Sequence, residues 1–373
     1  MKKKENQAYL KEQIITYLGN KRSLLSYIEK EVQIIQKKLK KTKTVNLDLF
    51  SGSGIVARLL KQYSEVLYVN DLERYSEIIN SCYLSNKTEI DFILLDNAII
   101  EINKIINQKQ YKEGFISELY APKDDNNIKD GDRVFYTREN ALIIDSVRQY
   151  LDNVEEPVKT MLLGVLLSEA SIKTNTAGIF KGFYKDSSTG RGKFGGNGEY
   201  ALNRIKAKIT IKTPVLSNFE CKYKIFRENS NELVKSLKNL DIVYIDPPYN
   251  QHPYGSNYFM LNLISDYVKP NEISKISGIP KGWNKSSYNY KNKAYDEFSD
   301  LISNIDSSYI MVSYNSEGFI TYENMLSLLT RFGTVEVKEI VYNTFRGSRN
   351  LSERNLYVNE YLFILRKEYN DEK

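Results

Sequence analysis

Nine residues, Asp241-Ile242-Val243-Tyr244-Ile245-Asp246-Pro247-Pro248-Tyr249, restrict this chain more than any other stretch. An apolar run reaches Asp246 and stops at two prolines, which lack the amide hydrogen that a central strand needs. The stretch is therefore expected to be a buried strand delivering Asp246, two proline carbonyls and an aromatic ring at its C-terminal end. In open α/β sheets ligands bind at that end. A plain strand-to-turn junction would use the same residue types, so the weight of the motif rests on its surroundings.

The chain has 373 residues, enough for one large or two medium domains with a proper core. Only one histidine, His252, is present, which excludes a Ser-His-Asp hydrolase and a multi-histidine metal site. Two distant cysteines, Cys82 and Cys221, exclude a cysteine-rich zinc site and argue for reduced thiols in a cytoplasmic protein. No apolar run approaches a membrane span. Met1-Lys2-Lys3-Lys4-Glu5 is basic with no apolar core behind it, unlike a signal peptide. No metal is expected. The net charge of +6 is compatible with a polyanionic partner without establishing one.

Taken in order, residues 13–21 form a short apolar run closed by Gly19 and Asn20, and helical spacing follows over 22–40. Residues 45–57 read as strand, turn and helix, the turn being Ser51-Gly52-Ser53-Gly54. Such glycines let the backbone approach a ligand closely. The third glycine of a dinucleotide fingerprint and the lysine of a phosphate loop are both missing, so a pyrophosphate is not the expected ligand. A second strand over 65–71 ends at Asp71, placed to contact ribose hydroxyls or to cap the helix at 73–84.

From 86 to 218 the alternation of strand and helix breaks down. Within it, 154–172 reads as a buried helix and 173–197 as a basic, glycine-rich stretch carrying Lys181, Lys185, Arg191 and Lys193. Basic residues interleaved with aromatics suit phosphate contact and base stacking. Regular organisation resumes at 223–226, runs through a short helix to Leu237 and into the opening strand, and continues with a helix to about 268. The lysine-rich insertion at 269–293, with Trp283, is expected to be mobile. Further strands are expected over 308–314, 335–343 and 358–365, with a helix at 321–331.

Three motifs then stand in a particular order: Tyr17-Leu18-Gly19-Asn20-Lys21, Asp48-Leu49-Phe50-Ser51-Gly52-Ser53-Gly54 and Asp246-Pro247-Pro248-Tyr249. Together they resemble the α-group of S-adenosylmethionine-dependent DNA amino-methyltransferases, the family of Dam-like and restriction-modification adenine methylases. The resemblance covers roughly 10–85 and 220–365. It implies an α/β, Rossmann-like fold with a mostly parallel seven-stranded sheet and an inserted target-recognition domain. The chain would then divide into a first catalytic part at 1–85, a recognition region at 86–218 and a second catalytic part at 219–373.

By the same resemblance, Tyr17, Gly19, Asn20, Lys21, Asp48, Phe50, Ser51, Gly52, Ser53, Gly54 and Asp246 surround S-adenosylmethionine. Asp71 holds its ribose, and Asn229 and Ser230 lie near its adenine ring. Asp246, Pro247, Pro248 and Tyr249 hold the target base of double-stranded DNA, which must flip out of the duplex to be reached. A cognate restriction endonuclease is an implied partner. An exocyclic amine is a poor nucleophile, so acceptors on its two N–H groups help direct its lone pair at the methyl donor. An RNA base methyltransferase and an N4-cytosine DNA methyltransferase remain open as alternatives. For DNA contact, Lys181, Lys185, Arg191, Lys193, Arg346 and Arg349 are expected to line one basic face around the site.

Overall fold

The computed structural model describes residues 4–196, 199–343 and 357–368. Seven strands form one sheet: β1 (Thr44–Asp48), β2 (Ser64–Asn70), β3 (Lys222–Phe226), β4 (Leu240–Ile245), β5 (Ser307–Asn315), β6 (Gly333–Asn343) and β7 (Tyr357–Lys367). Their spatial order is β3-β2-β1-β4-β5-β7-β6. The first five run parallel, and β7 lies antiparallel between β5 and β6. The mostly parallel seven-stranded sheet with a closing antiparallel hairpin is as expected.

Every residue of β4 is buried, because helices cover both faces of the sheet. Alternate side chains serve the two faces, as a period of two requires. Val243 and Ile245 join Ile310, Val312 and Phe298 on one side. Ile242 and Tyr244 join Val32, Ile55 and Met311 on the other. Asp48 pairs with Tyr244 across the β1–β4 register. The two strands therefore end side by side, and this matched ending brings Asp48 and Asp246 to one edge.

Among the described residues, the region between β2 and β3 adds no strand to the sheet. Beyond the helix Arg74–Tyr83 that follows β2, it supplies helices Phe92–Asn107, Arg138–Leu151 and Val158–Ile172, with the shorter Phe115–Leu119 and Glu199–Lys206. Their apolar faces share a core with Tyr75, Ile78 and Ile79 and with Tyr258–Leu261. Gly164 allows the closest approach, since a Cβ there would lie 2.4 Å from the Cβ of Cys82. The insertion at 269–293 is tied to this layer. Ile273 bridges to Pro280, and the Tyr120 hydroxyl donates to the Gly278 carbonyl at 2.7 Å. No described helix is long and apolar enough to cross a membrane.

Candidate active site

At the C-terminal edge of β1, β2 and β4 the chain turns around a cleft. Its lining includes Tyr17, Gly19, Asn20, Lys21, Asp48, Phe50, Ser51, Ser53, Asp71, Asn229, Ser230, Asp246 and Pro248, all singled out from the sequence. Gly52, Gly54, Pro247 and Tyr249, also singled out, are not among its lining residues. The cleft is also lined by Glu73, Tyr244, Tyr254 and the segment Asn284–Asn289, which the sequence did not single out. Tyr254 had a signal, being one of three tyrosines, with Tyr249 and Tyr258, in the ten residues after the Pro-Pro pair. The 284–289 segment had none, because its polar composition reads as solvent-facing loop.

The turn after β1 is fixed by its own backbone. Gly52 N–H donates to Asp71 Oδ2 at 2.7 Å, and its carbonyl accepts from Ser76 Oγ at 2.7 Å. Gly52 has φ +52°, and a Cβ there would lie 2.7 Å from the Tyr17 ring. Glycine is required on both counts. Tyr17 is itself clamped, stacked on Tyr254 at 5.1 Å and on Tyr258 at 4.9 Å between centroids. Phe50 meets Tyr288 edge-on at 5.4 Å.

Asp71 serves the turn and the next helix together, because its Oδ1 accepts from Glu73 N–H at 2.9 Å. Neighbouring Asn70 is also engaged, donating to the carbonyls of Leu49 and Glu228. The side-chain oxygen of Asn229 is committed to capping the helix Ser230–Ser236, accepting from Asn231 and Glu232 N–H.

The lysine of the first motif is buried at the base of the cleft. Lys21 Nζ lies 3.0 Å from Asp246 Oδ1 and 2.7 Å from Glu360 Oε1. Burial works against its charge, but Asp246 and Glu360 outweigh that and hold the ammonium well above the usual lysine range. Asp246 keeps 20% of its side chain accessible. Burial pushes its carboxyl up to about 7 although Lys21 pulls it down, and Glu360 adds to the rise. The loop beyond is anchored by Phe319 N–H to the Tyr249 carbonyl and by Asn289 Nδ2 to the Asn250 carbonyl. The Tyr249 ring meets Tyr314 edge-on at 6.3 Å.

Acids dominate the cleft. Asp48 is 1% exposed, and its oxygens make no hydrogen bond of ordinary geometry among the described residues, although the Ala57 N–H and the Ser51 hydroxyl approach closely enough to oppose the rise of its pKa. Burial, helped by the nearby Asp246, pushes it up to about 8. Burial likewise takes Glu73 to about 7, although Asn262 Nδ2 donates to it at 2.6 Å. Carboxyls that resist ionisation around an open cleft suit a ligand bearing positive charge, which would stabilise their charged forms. No described group of three or more His, Cys, Asp or Glu is arranged to hold a metal ion.

Among the described residues, Lys181 of the basic stretch meets the loop that follows Tyr249. Lys181 Nζ donates to His252 Nδ1 at 3.3 Å, three residues beyond Tyr249. Lys185 lies over the Phe183 ring and its backbone bridges to Gly192. Arg191 is paired on the surface with Asp130, Nε to Oδ1 at 2.5 Å. Lys193 belongs to the same loop, donating its N–H to the Tyr184 carbonyl. Arg346 and Arg349 lie outside the described residues.

Comparison with known proteins adds an independent line. A profile of the D12 class N6 adenine-specific DNA methyltransferases matches residues 17–328. The chain is 30% identical over 362 residues to the Type II methyltransferase M.CviAII of Paramecium bursaria Chlorella virus 1, covering 94% of this chain and 98% of that one. It is 28% identical over 365 residues to the Type II methyltransferase M.NlaIII of Neisseria lactamica, covering 95% and 100%. It is 32% identical over 371 residues to the modification methylase StsI of Streptococcus sanguinis, covering 94% of this chain and 52% of that longer protein.

Proposed function

The chain belongs to the D12 class N6 adenine-specific DNA methyltransferases, and from that premise we propose how its residues divide the work. Membership decides among the alternatives left open by the sequence: the enzyme is an adenine-specific DNA methyltransferase of the restriction-modification type. Methyltransferases of this family use S-adenosylmethionine in general. We assign that cofactor to the cleft between residues 17–21, the turn at 51–54 and Asp71.

The single observation that carries this assignment is the fit of the cleft to a cation. Asp48, Glu73 and Asp246 crowd a space that Tyr17 and Phe50 wall with aromatic rings. Asp48 presents two buried oxygens that the Ala57 N–H and the Ser51 hydroxyl serve only weakly, so a donor or cation entering the cleft would stabilise their charge. When bound, the cofactor supplies an electrophilic methyl group on a sulfonium.

The protein's part is to hold the amine in line with that methyl. Lys21 fixes Asp246 through Oδ1 at 3.0 Å, and the Asp246 side chain keeps 20% of its surface accessible. In the proposed arrangement Oδ2 and the Pro247 carbonyl accept the two N–H hydrogens of the flipped adenine, whose ring stacks on Tyr249. Preorganised acceptors act most on the charge that develops in the transition state. With its carboxyl pushed up to about 7, Asp246 is suited to receive the proton that the methylated amine gives up.

We also propose 86–218 as the target-recognition region inserted between catalytic parts 1–85 and 219–373, with Lys181, Lys185, Arg191, Lys193, Arg346 and Arg349 on the DNA. A cognate endonuclease acting on the same site would be the biological partner. Titration calorimetry with S-adenosylmethionine tests the cofactor assignment. Asp71→Ala should weaken binding at least tenfold by loosening both the Gly52 amide and the ribose contact. Wild-type affinity in that variant would remove the assignment.

A further inference from the structure

Outside the three motifs, one buried carboxylate reaches the site from β7, the strand beyond β5. β7 is antiparallel to β5, so its early residues, not its last ones, arrive at the edge where the parallel strands end. Glu360 faces Asn315 across that register. Its side chain is fully buried, takes a hydrogen bond from Ser313 Oγ at 2.7 Å and lies 2.7 Å from Lys21 Nζ. Lys21 in turn reaches Asp246 at 3.0 Å, spanning β5 to do so. Two carboxylates thus share one ammonium with almost no water near it.

We propose that Glu360 is a positioning residue for methyl transfer, holding Lys21 so that Asp246 is fixed through Oδ1 and keeps Oδ2 for the substrate amine. The inference rests on the reading of Asp246 as the amine acceptor. Without Glu360, Lys21 has Asp246 as its sole carboxylate partner. It would then swing toward that group and draw on the electron density that the amine needs. A shared ammonium anchors the acceptor without neutralising it. The charged and titratable groups facing Asp246 are Lys21, Glu360, Asp48, Tyr244, Tyr249 and Tyr254. Of these, Lys21 is the group that Glu360 reaches directly, at 2.7 Å.

Single-turnover methyl transfer against pH on Glu360→Gln, Glu360→Asp and Asp246→Ala tests this. Loss of the Glu360 charge should move the acid limb of Glu360→Gln down by on the order of one pH unit. Its maximal rate should fall about tenfold or more, while cofactor affinity changes by less than threefold. Glu360→Asp keeps the charge but withdraws it by a methylene, so its rate should fall with a smaller displacement of the limb. An unmoved acid limb in Glu360→Gln, or a wild-type rate in folded Glu360→Asp, overturns the proposal. Should Glu360→Gln fail to fold, the Asp variant alone decides. Activity in Asp246→Ala would instead overturn the acceptor reading itself, so the two failures are distinguishable.

Discussion

Lys21 and Asp246 meet at 3.0 Å across the floor of the cleft, joining the first motif of the chain to the last. The contact couples the turn beside Tyr17 to the loop that carries Pro247, Pro248 and Tyr249. A buried ion pair is a weak source of net stability, because desolvation offsets most of the attraction. Its value here is geometric: the carboxylate is fixed in place before any substrate arrives.

Gly52 should tolerate no side chain. Gly52→Ala places a Cβ 2.7 Å from the Tyr17 ring at φ +52°, at a cost of about 1–3 kcal/mol in stability. Cofactor affinity should fall at least tenfold. Gly182→Ala is the control, since nothing lies within 4 Å of its Cβ. Equal behaviour of the two variants in thermal melts and calorimetry would contradict the close approach.

Asp48 makes stability depend on pH. Its carboxyl is pushed up to about 8 in the fold, against about 3.9 in an unfolded chain. Between those values the folded chain holds a proton that the unfolded chain has lost, so stability is greatest below pH 4 and declines toward pH 8. Glu73 and Asp246, at about 7, act in the same sense. Asp48→Asn should therefore flatten the fall of Tm from pH 5 to 8 and raise Tm at pH 8 by a few degrees. A slope as steep as in the wild type would show that Asp48 ionises freely.

The basic loop should contribute unequally to DNA binding. Each neutralised phosphate adds about 0.9 to the salt slope. Lys181, whose Nζ lies 3.3 Å from His252 in the loop after Tyr249, should account for nearly one such unit. Arg191 is already paired with Asp130, so Arg191→Ala should change the slope less than Lys181→Ala. Salt titrations on duplex DNA check this order, and the reverse order would mean that the Arg191 pair opens on DNA.

The strands that carry the second and third motifs, and Asp246 at the end of one, were legible from local signals: apolar runs, glycines and prolines. The antiparallel closing hairpin and the role of Asp48 came from the resemblance to a family. Glu360 could not be named, since it lies in an ordinary strand and matters only through the antiparallel pairing with β5. Glu73 is two residues past Asp71, and nothing local distinguishes it from a helix-capping acid. The role of 284–289 along the cleft depends on how the insertion folds back, and its polar composition points toward solvent. The lysine stretch was readable as basic, but the acid that occupies Arg191 comes from 61 positions away.

Asp246 carries the central claim, and the measurement is methyl transfer and cofactor binding on the same preparation of Asp246→Ala. The expected result is loss of N6-adenine methylation by at least a hundredfold, with S-adenosylmethionine still bound within tenfold of wild-type affinity. A folded Asp246→Ala protein that still methylates adenine at more than a tenth of the wild-type rate would contradict the account.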